Sequence, residues 1–353
     1  MSNLKSLYRN YTRLSLTILV LAVGITALTL LTVNCTRKGV KQQPVETPAT
    51  DYSQVATPGF NADSAYRYVV DQLAFGFRHP GTKGHDRCAD YLASTMRRWC
   101  DTVIVQKFTT TLWDGQKVDG KNIIASLGPE RDRRILLAAH WDSRQWADHD
   151  LDTNQWRKPL LGANDGASGV AVLMEMARVM SAMPPDVGVD FIFFDVEDQG
   201  IADWAGRYED NTWCKGSQHW AKNPHRMFYQ AEYGILYDMV GTDAPRFTKE
   251  EISMNFAQGL MNRLWNCAAS LGYAGIFVDE ISSAILDDHL YVNQILRVPT
   301  IDIVQNSPNT SFYQHWHTTG DNLDAVNPST LEVVANVSLK VIYSDFPHKE
   351  TER

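Results

Sequence analysis

The chain has 353 residues, 44% of them hydrophobic, and carries a formal net charge of −8. Removing an N-terminal leader would leave about 300 residues, near the upper size of a single hydrophobic core, so one folded domain is expected. The basic residues are scattered, which argues against the clustered positive surface of nucleic-acid-binding proteins and favours a small or peptidic substrate.

The N-terminus has the pattern of an export signal. Basic residues at positions 5, 9 and 13 precede an uncharged run at residues 14–33, which ends beside Cys35. A basic start, an apolar centre and a terminal cysteine are typical of a lipoprotein leader, so residues 1–35 are predicted to be a lipoprotein signal peptide, with acylation of Cys35. The run could also cross a bilayer of about 30 Å, which leaves an uncleaved membrane anchor as the alternative. In both cases charge asymmetry predicts a periplasmic domain tethered to a bacterial membrane.

Residues 36–58 contain three prolines and few large apolar side chains, which predicts a flexible tether before a domain at residues 59–353. The domain has four cysteines, at positions 88, 100, 214 and 267, without a C-x-x-C pattern for a structural zinc site or a redox dithiol. An oxidising compartment permits one disulfide, and Cys88 with Cys100 is a conceivable pair. The spacing alone does not define the connectivity.

Helical and strand patterns alternate from residue 61 onward. Helices are predicted at residues 65–75, 86–99, 170–180, 248–270, 288–295 and 328–343. Strands are predicted at residues 103–108, 122–127, 134–139, 189–194, 233–239 and 300–304. The run at 189–194 is apolar except for Asp190, as expected of a strand covered on both faces. The alternation predicts the α/β class, a single domain with an open, mainly parallel central sheet covered by helices on both faces.

Metal-competent side chains follow several predicted strands or precede the next helix. In an open α/β sheet, ligands bind just beyond the carboxyl ends of the strands, so a site is expected there. The side chains in question are His140, Asp142, Asp165, Asp195, Glu197, Asp198, Asp238 and His317. Buried carboxylates without partners are costly, so a site that concentrates them usually holds a cation. The pattern therefore predicts a metal site at this edge.

Zinc binds imidazole and carboxylate ligands where thiolates are absent, and a catalytic zinc site uses three protein ligands and one open position. Asp165, Asp198 and His317 could supply such a set. If the strand pleat continues, the adjacent Glu197 would point away from the metal and could act as a general base.

Each of these residues also has a simpler explanation. A single histidine, such as His140 or His317, is more often a hydrogen-bonded structural residue than a ligand. Asp165 could cap the following helix, and Glu197 with Asp198 could form a solvated loop. The coincidence of so many suitable groups at successive strand ends favours the metal site.

In the order of these residues the chain resembles the zinc-aminopeptidase superfamily, in which a His, a bridging Asp, a Glu-Glu or Glu-Asp pair, a further Asp and a final His follow one another. The segments HWDS, GANDGASG, FFDVEDQG, YDMVG and WHTTGDNLD carry this resemblance over roughly residues 60–345. It implies a zinc-aminopeptidase-like fold. Within the superfamily the chain is most similar to the glutaminyl cyclases, because Trp316 precedes His317, Trp204 follows the acidic pair, and residues 287–289 read Asp-Asp-His.

The cyclase resemblance implies one Zn²⁺ ion, with its residues in the following roles. Asp165, Asp198 and His317 would bind zinc, Glu197 would transfer the proton, Asp238 and Asp287 would form the supporting acidic network, and Trp204 and Trp316 would line the substrate pocket. The implied reaction converts N-terminal glutamine of peptides and proteins to pyroglutamate with release of ammonia. A monomer is favoured.

The same resemblance leaves a second reaction open. His140 and Asp238 could hold a second metal, as in the two-zinc aminopeptidases that remove N-terminal residues. Asp198 and Asp302 stand where animal cyclases have Glu and His, and these departures from the animal pattern indicate a bacterial branch.

Overall fold

Helices and strands alternate along the chain as the sequence pattern predicts. The computed structural model describes residues 50–306 and 312–349. The helices are α1 (Ala62–Leu73), α2 (Lys83–Met96), α3 (Ala167–Ala182), α4 (Lys215–Lys222), α5 (Glu251–Ser270), α6 (Asp288–Tyr291) and α7 (Pro328–Asp345). The strands are β1 (Thr102–Thr111), β2 (Lys117–Leu127), β3 (Arg134–His140), β4 (Gly188–Phe194), β5 (Gly234–Asp238), β6 (Phe247–Glu250), β7 (Phe277–Ser282) and β8 (Thr300–Val304).

Six of these strands form the central sheet, in the order β1-β2-β4-β3-β5-β8. The neighbours β4, β3, β5 and β8 pair in parallel, whereas β2 pairs antiparallel with both β1 and β4. The four parallel strands therefore end at one edge of the sheet. The predicted α/β class with an open, mainly parallel sheet is confirmed.

The sheet is covered on both faces because successive strand residues point to opposite sides. On β3, Leu137 belongs to the larger core, which also includes residues of α1, α3 and α7. Its neighbour Leu136 belongs to a second core with Trp220 of α4. Both leucines are fully buried, so the continuous apolar run on this strand packs against helices on both faces of the sheet.

One predicted helix, at residues 248–270, begins later than expected. Residues 248–250 belong to β6, which pairs in parallel with β7 in a separate two-stranded sheet. The helix α5 starts at Glu251 because the Glu250 carboxylate accepts hydrogen bonds from the backbone N–H groups of Ile252, at 2.8 Å, and Ser253. A capping acid thus ends the strand and starts the helix within one residue.

The predicted tether is shorter than residues 36–58. Tyr52 is buried in the main core, and Lys340 of α7 donates hydrogen bonds to the backbone carbonyls of Ser53 and Val55. Residues 50–58 therefore begin the folded domain. The predicted leader at residues 1–35 and the remainder of the tether lie outside the described residues. Within the described ranges, no helix is both long and apolar enough to cross a membrane.

The conceivable disulfide between Cys88 and Cys100 is absent, since both cysteines are free and buried. Cys88 lies in α2 and Cys100 lies shortly beyond its end. The N–H of Cys100 donates to the carbonyl of Met96 at 2.9 Å, and Met96 lies eight residues beyond Cys88 in the helix, which corresponds to about 12 Å, more than the span of about 7 Å that a disulfide can bridge.

Candidate metal centre and active site

The carboxyl ends of three parallel strands bring most of the predicted site residues together. His140 is the last residue of β3, Asp238 is the last residue of β5, and Glu197 and Asp198 follow β4. The backbone near them is strained, because Val196, Met239 and His317 have φ values of 56°, 49° and 53°, in the left-handed region. Such conformations cost about 1–3 kcal/mol each and persist where the surroundings hold them for function.

Asp165 lies directly before α3 but does not cap it. The cap position is Gly166, with a φ of 99° and no side-chain hydrogen bond. A Cβ atom there would lie 2.5 Å from the carbonyl oxygen of Asp142, so only glycine fits. The backbone N–H groups of Asn164 and Asp165 donate to the Asp321 carboxylate at 2.8 and 3.1 Å. The Asp165 carboxylate is thereby left for another partner, and the capping explanation is wrong.

Asp165, Asp198 and His317 form a compact buried group whose candidate ligand atoms all lie within 4.8 Å of one another. His317 Nε2 is 3.0 Å from Asp198 Oδ1 and 3.7 Å from Asp165 Oδ2. These two carboxylate oxygens are buried and accept no hydrogen bond within the part of the chain that the structure describes. Two carboxylates and one imidazole with unused buried oxygens fit a zinc ion.

The electrostatics of this group also suit a cation. Burial raises the pKa of Asp198 well above its ordinary value, and the nearby Asp165 raises it further. Burial lowers the pKa of His317 well below its ordinary value, and Arg144 adds to this effect. His317 is therefore neutral, the form in which imidazole binds metals, and zinc would add positive charge beside the two crowded carboxylates.

A second group of three candidate ligands shares Asp165. His140 Nε2 lies 3.0 Å from Asp165 Oδ1 and 3.1 Å from Asp238 Oδ1. Burial raises the pKa of Asp238 to about 7, although His140 opposes the shift. Burial works against protonation of His140, but its contacts with Asp142, Asp165 and Asp238 outweigh burial and raise its pKa. This group can hold either a hydrogen-bonded histidine or a second metal ion.

Glu197 is placed between the metal-competent groups and Asp287. Its backbone N–H donates to Asp142 Oδ1 at 3.1 Å, and its carboxylate lies 3.9 Å from His140 Nδ1. Candidate ligand atoms of Glu197, Cys214 and Asp287 lie within 4.8 Å of one another. Burial raises the pKa of Glu197 well above its ordinary value, and Asp287 adds to the shift while His140 opposes it. A raised pKa makes it easier for this carboxyl group to take up a proton, as a general base must.

These residues open into a pocket of about 260 Å³. Its lining residues are Asp165, Glu197, Asp198, Tyr208, Trp213, Asp238, Met239, Ala284, Ile285, Leu286, Asp287, Phe312, Trp316 and His317. Trp316 stacks on His317 with a centroid distance of 3.8 Å, and the ring of Trp213 lies nearly parallel to His317 at 6.0 Å. The pocket lining therefore combines acidic and aromatic side chains.

Trp204 does not line this pocket, contrary to the prediction. Its ring packs edge-on against Trp146 at 5.9 Å, and the Arg157 guanidinium lies 4.3 Å above it. Trp213, which the sequence analysis did not single out, lies in the wall instead. No signal in the sequence identifies it: the ring packs on Gly200, where a Cβ atom would lie 1.9 Å away, and only the coordinates show this contact. Glycine at this position lets the indole pack directly on the loop that follows the acidic pair.

The model of peptidase family M28 matches residues 122–342. The chain belongs to peptidase family M28. The matched segment runs from β2 to α7 and contains His140, Asp165, Glu197, Asp198, Asp238, Asp287 and His317. Family membership implies zinc, and the donor groups described above fit it.

Solved structures of two kinds share this M28 fold over nearly their whole length. A Zn-dependent exopeptidase from Parabacteroides distasonis is 46% identical, with a TM-score of 0.80 over 82% of this chain and 99% of that chain. The glutaminyl cyclase from Bacteroides thetaiotaomicron, solved with N-acetylhistamine, is 44% identical, with the same TM-score and coverage. The zinc-aminopeptidase-like fold is confirmed.

Curated relatives divide in the same way. Glutaminyl-peptide cyclotransferase from Bos taurus is 26% identical over 307 residues, covering 77% of this chain and 79% of that protein. Aminopeptidase YwaD from Bacillus subtilis is 23% identical over 232 residues, and this match spans 63% of the chain but only 44% of that protein. The cyclotransferase likeness thus extends over more of both chains.

Proposed function

We propose that this M28 protein is a one-zinc glutaminyl cyclase, which converts N-terminal glutamine of peptides and proteins to pyroglutamate and releases ammonia. The likeness to the Bacteroides thetaiotaomicron cyclase, at 44% identity over 99% of that chain, carries the proposal. The placement of Trp316 and Glu197 beside the Asp165, Asp198 and His317 group supports it.

Zinc held by Asp165, Asp198 and His317 would supply Lewis-acid polarisation of a carboxamide carbonyl. The remaining chemistry falls to the side chains around it. The α-amine of the substrate attacks its own side-chain amide carbon, so a new C–N bond forms and the bond to the amide nitrogen breaks. Because attack is intramolecular, correct folding of the glutamine side chain contributes much of the rate.

Glu197 moves the proton in this scheme. Its carboxylate takes a proton from the attacking α-amine and gives it to the departing nitrogen, which leaves as ammonia. Its raised pKa suits this exchange, since the group must bind and release a proton in each cycle. Asp238 and Asp287 also line the pocket and can accept hydrogen bonds from the substrate amine.

The aromatic wall would keep bulk water from the reacting carbon. Trp213 and Trp316 flank His317, and Phe312 packs against Trp316 with a centroid distance of 4.6 Å. Exclusion of water limits competing hydrolysis of the side-chain amide.

A two-zinc aminopeptidase is the second candidate, and one observation favours it. His140, Asp165 and Asp238 form a second complete group of ligands that shares Asp165 with the first. Two metals in this arrangement would activate a water molecule, with Glu197 as its base, to cleave the first peptide bond.

The decisive experiment supplies the zinc-loaded, full-length chain with a peptide that begins with glutamine. We expect ammonia and pyroglutamyl peptide in equal amounts, no free amino acid, and one zinc ion per chain. Release of free N-terminal residues without pyroglutamate, together with two zinc ions per chain, would replace the cyclase with the aminopeptidase.

We also propose that the enzyme is anchored to a bacterial membrane through lipidated Cys35 and acts in the periplasm. The leader pattern of residues 1–35 supports this. Cys35→Ser should abolish incorporation of labelled lipid and release the protein from membranes. Continued membrane association with no label in the wild-type chain would favour an uncleaved anchor.

A further inference from the structure

The thiol of Cys214 lies directly against the carboxylate of Glu197. The distance from Sγ to Oε1 is 3.2 Å, within the range of a hydrogen bond involving sulfur. Cys214 is fully buried, and Glu197 is 9% exposed on its pocket side. The thiol therefore contacts the proposed base without itself lining the pocket.

The backbone fixes this contact on both sides. The N–H of Cys214 donates to the carbonyl of Glu197 at 2.9 Å, and the N–H of Lys215 donates to the carbonyl of Val196 at 2.9 Å. Cys214 has a φ of 54°, in the left-handed region, and α4 begins at the next residue. A strained residue doubly pinned to the loop of Glu197 is expected where side-chain direction matters.

The chemistry of the pair assigns the donor. Burial raises the pKa of Cys214 well above its ordinary value, and the charge of Glu197 adds to this, so the sulfur keeps its proton. In the observed contact the thiol is the donor and Glu197 Oε1 is the acceptor. A buried thiol beside a carboxylate is thus a hydrogen-bond donor and a poor nucleophile.

We propose that Cys214 is a positioning residue for the proton-transfer step: its thiol donates a hydrogen bond to Glu197 Oε1 and holds the carboxylate toward the pocket. The inference rests on the proposed role of Glu197. That role is shared by the cyclase and the aminopeptidase, so the inference does not depend on which of the two reactions occurs.

Simple packing is the competing explanation, and Cys267 provides a matched control. It is another fully buried cysteine, in α5, and its Sγ lies 3.7 Å from the carbonyl of Val337 in α7, away from the pocket. Cys267→Ala removes the same sulfur from the core without touching Glu197.

The test compares Cys214→Ala, Cys214→Ser and Cys267→Ala in the full-length, zinc-loaded chain. Cys214→Ala should lower kcat about tenfold, the worth of one hydrogen bond, while KM changes less than about twofold. Cys214→Ser, which restores a donor, should recover most of kcat. Cys267→Ala should lower Tm about as much as Cys214→Ala does, because both remove a buried sulfur, and it should leave kcat unchanged. Equal kcat in the two alanine variants would overturn the inference.

Infrared spectroscopy gives a readout independent of turnover. The S–H stretching band of Cys214, identified as the band lost in Cys214→Ala or Cys214→Ser, should shift when Glu197→Gln replaces the charged acceptor. An unmoved band would refute the hydrogen bond even where an alanine variant fails to fold.

If the wild-type chain instead frees amino acids, the proposed function fails, and the same kcat comparison made on that hydrolysis still decides the role of Cys214.

Discussion

Glu197 and Asp198 are neighbours in sequence with different surroundings, so their amide variants should separate proton transfer from metal binding. Asp198 Oδ1 faces His317, whereas the Glu197 carboxylate contacts Cys214. Glu197→Gln should lower kcat by about 10²–10⁴, the usual contribution of a general base, and retain zinc. Asp198→Asn should lose both. Activity and zinc content measured on the same samples check the assignment, and zinc loss in Glu197→Gln would exchange the two roles.

Trp213 and Trp204 form a second informative pair at the residue scale. Trp213→Ala should raise KM about tenfold, because it removes an aromatic wall from the pocket. Trp204→Ala should leave KM unchanged, since its contacts are to Trp146 and Arg157 outside the pocket. Steady-state kinetics with a glutaminyl peptide distinguish them. A larger effect at Trp204 would mean that the substrate extends over the outer aromatic cluster.

Whether a site residue could be predicted from the sequence depends on how specific its residue type is for one kind of chemistry. His140, Asp165, Asp198 and His317 were predictable as a group, because so many carboxylate and imidazole side chains rarely coincide at successive strand ends and helix starts. Trp213 was not, because the chain has ten tryptophans and most serve packing. Only the coordinates, which place Trp213 in the pocket wall, show which indole reaches the pocket.

At the scale of elements, Asp190 joins three strands through one buried carboxylate. On β4, it accepts hydrogen bonds from Arg134 of β3, at 2.6 and 2.5 Å, and from Ser126 of β2, at 2.5 Å. Burial alone would raise its pKa, but His225 and Arg134 outweigh burial and lower the pKa below its ordinary value. This explains the one acidic residue in an otherwise apolar strand.

Removing this carboxylate should destabilise the fold in a pH-dependent manner. Asp190→Asn leaves Arg134 buried without its counter-charge and should lower the free energy of unfolding by about 3–5 kcal/mol near neutral pH. The stabilisation is fully present above the ordinary carboxyl pKa of about 4 and is lost as pH falls through the lowered folded-state pKa. Urea unfolding across pH should therefore show the wild type and the variant converging in acid.

A surface pair provides the control for that measurement. Asp186 lies 3.0 Å from Arg131 with 35% of its side chain exposed. Asp186→Asn should change stability little at any pH, because water screens the pair. A comparable loss of unfolding free energy in Asp186→Asn and Asp190→Asn would mean that burial of Asp190 does not increase its contribution to stability.

The element boundaries that sequence missed have a shared cause. Residues 248–250 fit the helical pattern that follows them, yet they pair with β7, and β7 itself was not predicted. Its burial pattern runs from Phe277 through exposed positions to Ser282, so its apolar signal is weak. Short edge strands are defined by long-range pairing, which local periodicity does not contain.

At the scale of the whole molecule, the alternation of patterns was sufficient to predict the fold. The four parallel strands are nearly continuous apolar runs, and such runs require helices on both faces. Once the strands are parallel, their carboxyl ends meet, and the site follows from topology. The number of metal ions does not, because His140, Asp165 and Asp238 suit a second ion as well as a hydrogen-bonded histidine.

Zinc binding should stabilise the whole fold, because its three proposed ligands come from separate parts of the chain. Asp165 precedes α3, Asp198 follows β4, and His317 lies between β8 and α7. An ion that binds only the folded state stabilises it by about 4 kcal/mol when free zinc is a thousandfold above Kd. Chelation should therefore lower Tm, and added zinc should restore it. His317→Ala should melt at the same temperature with or without chelator. Losing one of three ligands weakens zinc binding, so this variant holds little zinc for a chelator to remove. If chelation left the wild-type Tm unchanged, packing alone would hold the three segments together.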